Sequence, residues 1–294
     1  MKTTVLLLII FWAFSCSIKA QLPNFAWVKS MGASGTDWAY SITTDAAGNI
    51  YTAGSFEGSV DFDPGIGTFN LISNGESDIF IQKLDAGGNF IWAKKVGGMG
   101  NDEAFVITTD TIGNIYTVGY FEAAVDFDPG TGTTNLISNG ESDIFIQKLD
   151  TSGDFIWAKS LGSEGAEFAL NVTIDVEGNV ITVGQFYHTV DFDPGTGTVN
   201  LISNGASDIF IQKLDANGNF IWAKSIGSST GDDPQSVSTD SLGNIFISGG
   251  VGGFNEAVDF DPGPGVFNII VIGYYDVFTQ KLDTNGDFLW AKSI

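Results

Sequence analysis

The hexapeptide Val-Asp-Phe-Asp-Pro-Gly occurs four times and carries the densest candidate chemistry of the chain. Its carboxylates are Asp61 and Asp63, Asp126 and Asp128, Asp191 and Asp193, and Asp259 and Asp261. In a strand, alternate residues share a face, so each pair of Asp side chains points one way while Val and Phe point the other. Two carboxylates roughly 7 Å apart, followed by a Gly-rich turn, resemble the opening of a calcium loop, where a hard cation collects carboxylate and carbonyl oxygens. The third acidic ligand and the late bidentate Glu of an EF-hand are missing. An acidic outer face ending in a Pro-Gly turn accounts for the same residues more simply. Calcium is the candidate ion for these loops.

A second kind of chemistry sits where the copies differ. Trp38 and Tyr40 stand where later copies have Glu103 and Phe105, or Glu167 and Ala169. Tyr274 and Tyr275 replace the polar Ser-Asn-Gly-Glu stretch of earlier copies. Exposed aromatic rings stack on sugars or on a partner protein. The same residues would equally serve as caps on terminal repeats. Catalysis has little to work with. His188, in Gln185-Phe-Tyr-His188, is the only histidine, and there is no arginine. Paired carboxylates are the tools of a glycosidase, but these pairs recur fourfold, whereas an active site is expected to break the repeat symmetry.

The elements that must position these residues form a repeat. Trp27, Trp92, Trp157, Trp222 and Trp290 each sit in a Phe-x-Trp-x-Lys segment, spaced by 65, 65, 65 and 68 residues. A fixed period of this kind marks an array of supersecondary units that bury their apolar faces on one another. Within residues 89–153, four segments rich in β-branched and aromatic residues read as strands: Phe90–Val96, Glu103–Asp110, Asn114–Phe121 and Asp143–Asp150. Asp-x-x-Gly-Asn/Asp turns occur eight times, at Asp45, Asp85, Asp110, Asp150, Asp175, Asp215, Asp240 and Asp283. Asp caps the backbone two residues on and Gly supplies the positive φ of a bulged type I turn, so these carboxylates have a structural use. Four-stranded sheets repeated radially make a β-propeller.

The expected fold is therefore all-β: a propeller of about four 65-residue repeats, each a four-stranded antiparallel blade, plus one extra strand. The repeats cover about 25–89, 90–154, 155–219 and 220–287, with a final strand at 288–294. Five Trp strands against four copies of everything else leave Phe25–Lys29 as the redundant one. A compact four-bladed ring, an open arc, or an array whose edge strands pair with another copy each accommodate it. The segment 70–85 matches 135–150 residue for residue, and near-identical edges favour exchange between molecules.

The combination Phe-x-Trp-Ala-Lys-x-x-Gly, Asp-x-x-Gly-Asn-Ile-Tyr-Thr-x-Gly and Asp-Ile-Phe-Ile-Gln-Lys-Leu-Asp resembles the bacterial β-propeller repeat known as the SBBP repeat, from Phe25 to Ile294. The resemblance implies a secreted or surface-exposed bacterial propeller, commonly part of a longer chain, and transfers no catalytic residue.

The ends and the composition bound the function. Met1-Lys2 followed by the apolar run Val5–Phe14 and Ile18-Lys19-Ala20 reads as a cleaved secretory signal over residues 1–20, leaving 21–294 as a single repeat domain. Lipid attachment at Cys16 is the rival reading. Cleavage removes the only cysteine and two lysines, so ten lysines face 35 acidic residues. Such a charge repels phosphate backbones and anionic lipid, which excludes nucleic acid as a natural partner. No segment of the exported chain is apolar for long enough to cross a membrane as a helix. The expectation is a secreted or cell-surface, non-enzymatic binding or scaffold module for a protein or polysaccharide, with calcium as a candidate stabilising ion. The alternatives are an extracellular carbohydrate-active enzyme, or a structural or adhesive fragment of a larger surface protein.

Overall fold

The computed structural model describes residues 26–294, and all its regular elements are strands. The first sheet contains β1 (Asp37–Thr44), β2 (Ile50–Asp61), β3 (Asn70–Leu84) and β4 (Phe90–Val96), in that spatial order. The second begins with β5 (Glu103–Thr109) and β6 (Ile115–Phe121). After a small hairpin, β7 (Ala124–Asp126) and β8 (Asn135–Ile137), it is completed by β9 (Asp143–Leu149) and β10 (Phe155–Leu161). The third repeats this plan with β11 (Phe168–Ile174), β12 (Val180–Phe186), hairpin β13 (Thr189–Asp191) and β14 (Asn200–Ile202), then β15 (Asp208–Leu214) and β16 (Phe220–Ile226). The fourth has β17 (Asp233–Thr239), β18 (Ile245–Gly252), hairpin β19 (Glu256–Asp259) and β20 (Asn268–Val271), then β21 (Tyr275–Leu282) and β22 (Phe288–Ser293). All pairings within these sheets are antiparallel. The protein is thus all-β and propeller-like. In the first sheet the hairpin is continuous with its parent strands, because β2 and β3 run on through it.

The sheets divide the sequence period after the Trp strand. Lys83 pairs with Trp92 and Lys213 with Trp222, so each Trp-Ala-Lys strand is the fourth strand of its own sheet. Every sheet is then complete with its own four strands. The sequence reading counts Phe25–Lys29 as an extra strand, and the structure corrects this: residues 26–33 carry no strand pairing. The segment packs instead on the face of the first sheet, with Trp27 on Gly88 and Met31 against the cluster of Phe56, Phe62 and Phe80. The signal segment 1–20, Cys16 and Phe25 lie outside the described residues. No helix among the described residues is long and apolar enough to cross a membrane.

The core lies between sheets rather than within them. One face of each of the first three sheets presents Tyr or Ile, Val or Ala, and two Ile residues; the opposite face of the next sheet presents a cluster of Phe. Tyr51, Ala53, Ile79 and Ile81 of the first sheet meet Phe121, Phe127 and Phe145 of the second. Tyr116, Val118, Ile144 and Ile146 meet Phe186, Phe192 and Phe210 of the third. Ile181, Val183, Ile209 and Ile211 meet Phe260 and Phe278 of the fourth. Burial on both faces explains why β9 and β15 are apolar without alternation. The Val60 and Phe62 face of the hexapeptide is buried as its alternation requires, with Asp61 on the wetter side.

Candidate functional site

The first strands β1, β5, β11 and β17 pack beside one another in succession. Each has an irregularity at the same place: Ala39 and Ser41 pair with Gly54 and Ala53, so Tyr40 is left as the extra residue of a β-bulge. The equivalent bulged residues are Phe105, Leu170 and Gln235. A bulge re-aims a side chain and disrupts the ladder locally, which makes it a common device next to binding sites. Its geometry demands the facing glycine, since a Cβ on Gly54 would fall 1.8 Å from the Trp38 carbonyl oxygen.

Two of these bulged residues, Tyr40 and Phe105, join regularly paired neighbours in a ladder of rings across three sheets. Trp38 stacks on Tyr40 with centroids 6.4 Å apart, and Tyr40 meets Phe105 edge-on at 5.4 Å. Phe105 contacts Tyr120 at 5.6 Å, and Tyr120 meets Phe168 at 5.3 Å. Trp38 is 58% and Tyr40 41% exposed, while the rest of the ladder is half-buried. Glu103 stands among the rings. Burial and then the Glu103 carboxylate raise the hydroxyl pKa values of Tyr40 and Tyr120, so both phenols stay neutral donors. On the fourth sheet the same positions are Asp233 and Gln235, and the ladder ends there. The pairing register also corrects an alignment. Trp38 corresponds to Phe168 and Tyr40 to Leu170, not to Glu167 and Ala169, because Trp38 pairs with Ser55 as Phe168 pairs with Gln185. Phe105, Tyr120 and Phe168 are ladder members that sequence reasoning missed. Adding the 65-residue period to Trp38, Tyr40 and Ser55 finds the positions.

Tyr274 and Tyr275 belong to a different place. Tyr274 leans on Phe254 at 5.9 Å, and both Tyr side chains are exposed at the head of β21. No aromatic contact joins them to Trp38 and Tyr40 among the described residues.

The hexapeptide carboxylates are used as turn staples. Asp126 Oδ1 accepts from Asp128 N at 3.1 Å and Thr134 N at 2.8 Å, and Asp128 Oδ1 accepts from Gly130 N at 2.8 Å. The same three bonds recur at Asp61 and Asp63, at Asp191 and Asp193, and at Asp259 and Asp261. One oxygen of each carboxylate is therefore committed to backbone amides, and among the described residues no three acidic or His side chains converge in metal-binding geometry. The eight Asp-x-x-Gly turns behave likewise: Asp45 Oδ1 accepts from Ala47 N and Asn49 N, and Gly48 has φ 81°. His188 occupies a left-handed position, φ 57°, shared with Gly58, Ala123 and Asn255, so the backbone of the hairpin sets that site rather than imidazole chemistry.

A second group was not anticipated. At each junction a carboxylate from the head of the third strand faces one that precedes the next sheet: Asp78 with Asp102, Asp143 with Glu167, Asp208 with Asp232. All six are fully buried. The second acid is held by its own amide, as in Asp102 N to Ser77 O at 2.9 Å, and by accepting from Gly98 N at 2.7 Å. Burial, with the neighbouring carboxylate adding to it, pushes Asp102 up to about 7 and Asp143 and Asp208 up to about 6. Asp232 rises to about 6, from burial first and then Glu256. Asp78 and Glu167 are raised by burial as well. The visible signal was an Asp heading an otherwise apolar strand in every copy.

The family model agrees with this repeat architecture. Residues 26–55, from Trp27 through the first Asp-x-x-Gly turn, match the family model of the SBBP beta-propeller repeat. A WD repeat-containing protein, L264 of Acanthamoeba polyphaga mimivirus, is 27% identical over 224 residues, which is 68% of this chain and 16% of that protein. The regulatory protein FlaEY of Caulobacter vibrioides is 25% identical over 182 residues, 61% of this chain and 18% of that protein. The chain thus spans less than a fifth of the length of these curated relatives. A solved structure of a protein of unknown function from Bacteroides caccae aligns over 88% of this chain and 82% of its own at 8% identity, with a TM-score of 0.35.

Proposed function

We propose that this protein is an exported, non-enzymatic binding module that uses four propeller blades as a scaffold and recognises a protein segment on the Trp38–Tyr40–Phe105–Tyr120–Phe168 ladder. The observation that carries the reading is that ladder: consecutive rings, two of them at bulges, crossing three sheets. Aromatic faces attract cations, and the chain carries a net charge of −23. Glu103 among the rings adds a local negative charge. A Lys- or Arg-bearing segment is therefore the favoured occupant, with electrostatic steering raising its on-rate. The similarity to a WD repeat-containing protein supports a scaffold role. Export rests on the leader-like residues 1–20.

Tryptophan fluorescence of the wild type and of Trp38→Ala, titrated with basic peptides and with neutral and acidic oligosaccharides, tests the reading. Saturable binding of a basic peptide, weakened about tenfold or more by Trp38→Ala, is the expected result. Saturable binding of oligosaccharides alone would replace the protein ligand with a glycan. Product release from any glycan would replace the module with an enzyme.

A further inference from the structure

At one end, the three junctions between sheets share the same latches. A Lys of the third strand reaches into the next sheet and donates to a turn carbonyl: Lys83 Nζ to Thr151 O at 3.0 Å, Lys148 Nζ to Ala216 O at 2.9 Å, Lys213 Nζ to Thr284 O at 3.1 Å. The Trp of the fourth strand lies on the glycine of that same turn. Trp92 packs on Gly153, Trp157 on Gly218 and Trp222 on Gly286, each ring about 3 Å from where a glycine Cβ would stand. At the other end, beside the hairpins, one junction departs from the rest.

In the first, second and fourth sheets a Glu near the far end of the second strand clamps the loop that leads into the first strand. Glu57 Oε2 accepts from Thr36 N at 3.2 Å, Glu122 Oε2 from Asn101 N at 3.1 Å, and Glu256 Oε1 from Ser229 N at 2.8 Å. At the junction of the first and second sheets, Asn101 Nδ2 also donates to Glu76 Oε2 at 2.8 Å, so one Asn ties two carboxylates. One period on, between the second and third sheets, both parts are gone. Position 187 is Tyr where the second sheet has Glu122, position 166 is Ala where it has Asn101, and Glu164 replaces Met99. Glu141, the counterpart of Glu76, has lost its amide donor, and the Ala166 N–H has lost its Glu. In their place is a cleft of about 340 Å³ lined by Glu141, Glu164, Gly165, Ala166, Tyr187 and His188. That volume falls within the range of about 300–1,000 Å³ usual for ligand clefts. Gly165 keeps the cleft open, since a Cβ there would crowd Tyr187 Cβ at 3.3 Å.

We propose that this cleft between the second and third sheets binds a neutral sugar residue of a glycan. The argument is the balance of donors and acceptors. The Glu141 and Glu164 carboxylates only accept and the Ala166 N–H only donates, so the occupant must do both. Lys and Arg side chains only donate, and a ligand carboxylate would only accept. A sugar hydroxyl does both, and its bonds to the two carboxylates are charge-assisted. The half-buried Tyr187 ring offers a surface for the apolar side of the sugar. The net charge of −23 turns acidic sugars away. Both walls belong to sheets that have a neighbour on their other side, so the cleft is interior to the array. None of its lining residues belongs to the aromatic ladder, and the site does not rest on that surface.

Isothermal titration of the purified chain with neutral gluco-, manno-, galacto- and xylo-oligosaccharides reads the binding. Wild type should bind at least one of them saturably, and Trp38→Ala should bind it equally well. Tyr187→Ala should weaken the binding about tenfold or more. Ala166→Asn combined with Tyr187→Glu rebuilds the clamp of the second sheet in the third, and should abolish binding while Tm holds or rises. No saturable binding across the panel would overturn the proposal, as would wild-type affinity in the rebuilt-clamp variant. A glycan lost in Trp38→Ala but kept in the rebuilt clamp would overturn it in favour of the ladder. A rebuilt clamp that removes binding of a basic peptide, with no glycan bound by wild type, would overturn it in favour of a cation.

Discussion

The third and fourth sheets share a repeat and differ in what lies beyond them. In the third, β15 is buried along its whole length between neighbours. In the fourth, the inner part of β21 alternates buried and partly exposed residues, because no other sheet among the described residues covers one face. The sequence follows the environment: Ile209 and Ile211 become Val277 and Thr279, and Val183 becomes Ser248. The lesson is local: at the positions that meet the next sheet, the covered face carries aliphatic side chains and the less covered one admits Ser248 and Thr279, whose hydroxyls would be costly to bury without a partner.

Substitutions at matched positions probe that difference most strongly. Ile209→Ala should cost about 3–4 kcal/mol and Val277→Ala under about 0.5 kcal/mol, read from urea midpoints at constant m. Equal costs would mean that the fourth sheet is covered after all. The Trp latch should divide the same way: Trp157→Ala about 2–3 kcal/mol, Trp290→Ala less than about 1 kcal/mol.

The buried acid pairs supply a subtler contrast, because they exist only at internal junctions. Their folded-state pKa values are raised, so the native state holds protons that the unfolded chain releases. Their stabilising contribution is complete below about pH 4 and is lost as pH rises through 6 and 7. Lys95 beside Asp78, Glu122 beside Asp102, His188 beside Glu167 and Glu256 beside Asp232 share these surroundings. The Tm should fall by about 5 °C between pH 4.5 and 7.5, and Asp143→Asn should flatten the slope. A Tm that rises over this range would show that the pairs are neutralised by other means.

The smallest effect is expected at the hexapeptide loops, which the third and fourth sheets share. Asp191→Ala and Asp259→Ala should each cost about 1 kcal/mol and the Asn variants less, since Asn retains the Oδ1 acceptor. Millimolar calcium should move the Tm by less than about 1 °C; a rise of several degrees would assign the free Oδ2 atoms to the ion.

Much of this was legible in the chain. The period of the Trp strands, the eight Asp-x-x-Gly turns and the inward Val60 and Phe62 all follow from local rules, because two-residue alternation and turn chemistry are encoded residue by residue. The phase of the repeat was not, since a Trp strand can pair backwards or forwards and only hydrogen-bond register decides. Trp38 and Tyr40 stood out as departures from the repeat. The rings that extend them did not, because Phe105 and Phe168 look like ordinary strand residues until the packing of the first strands brings them into one line. The acid pairs stayed hidden because Asp78 and Asp102 are 24 positions apart in different sheets.

The Lys latches have a consequence for how the molecule comes apart. They span 68, 68 and 71 residues, so each ties one repeat only to the next. Such a chain behaves as a row of coupled units, whose cooperativity decays with distance from the middle. Amide hydrogen exchange should be slowest in the second and third sheets and fastest in the fourth, which among the described residues packs on the third alone. Unfolding then peels inward from β22, and the molecule surrenders its last repeat long before its centre.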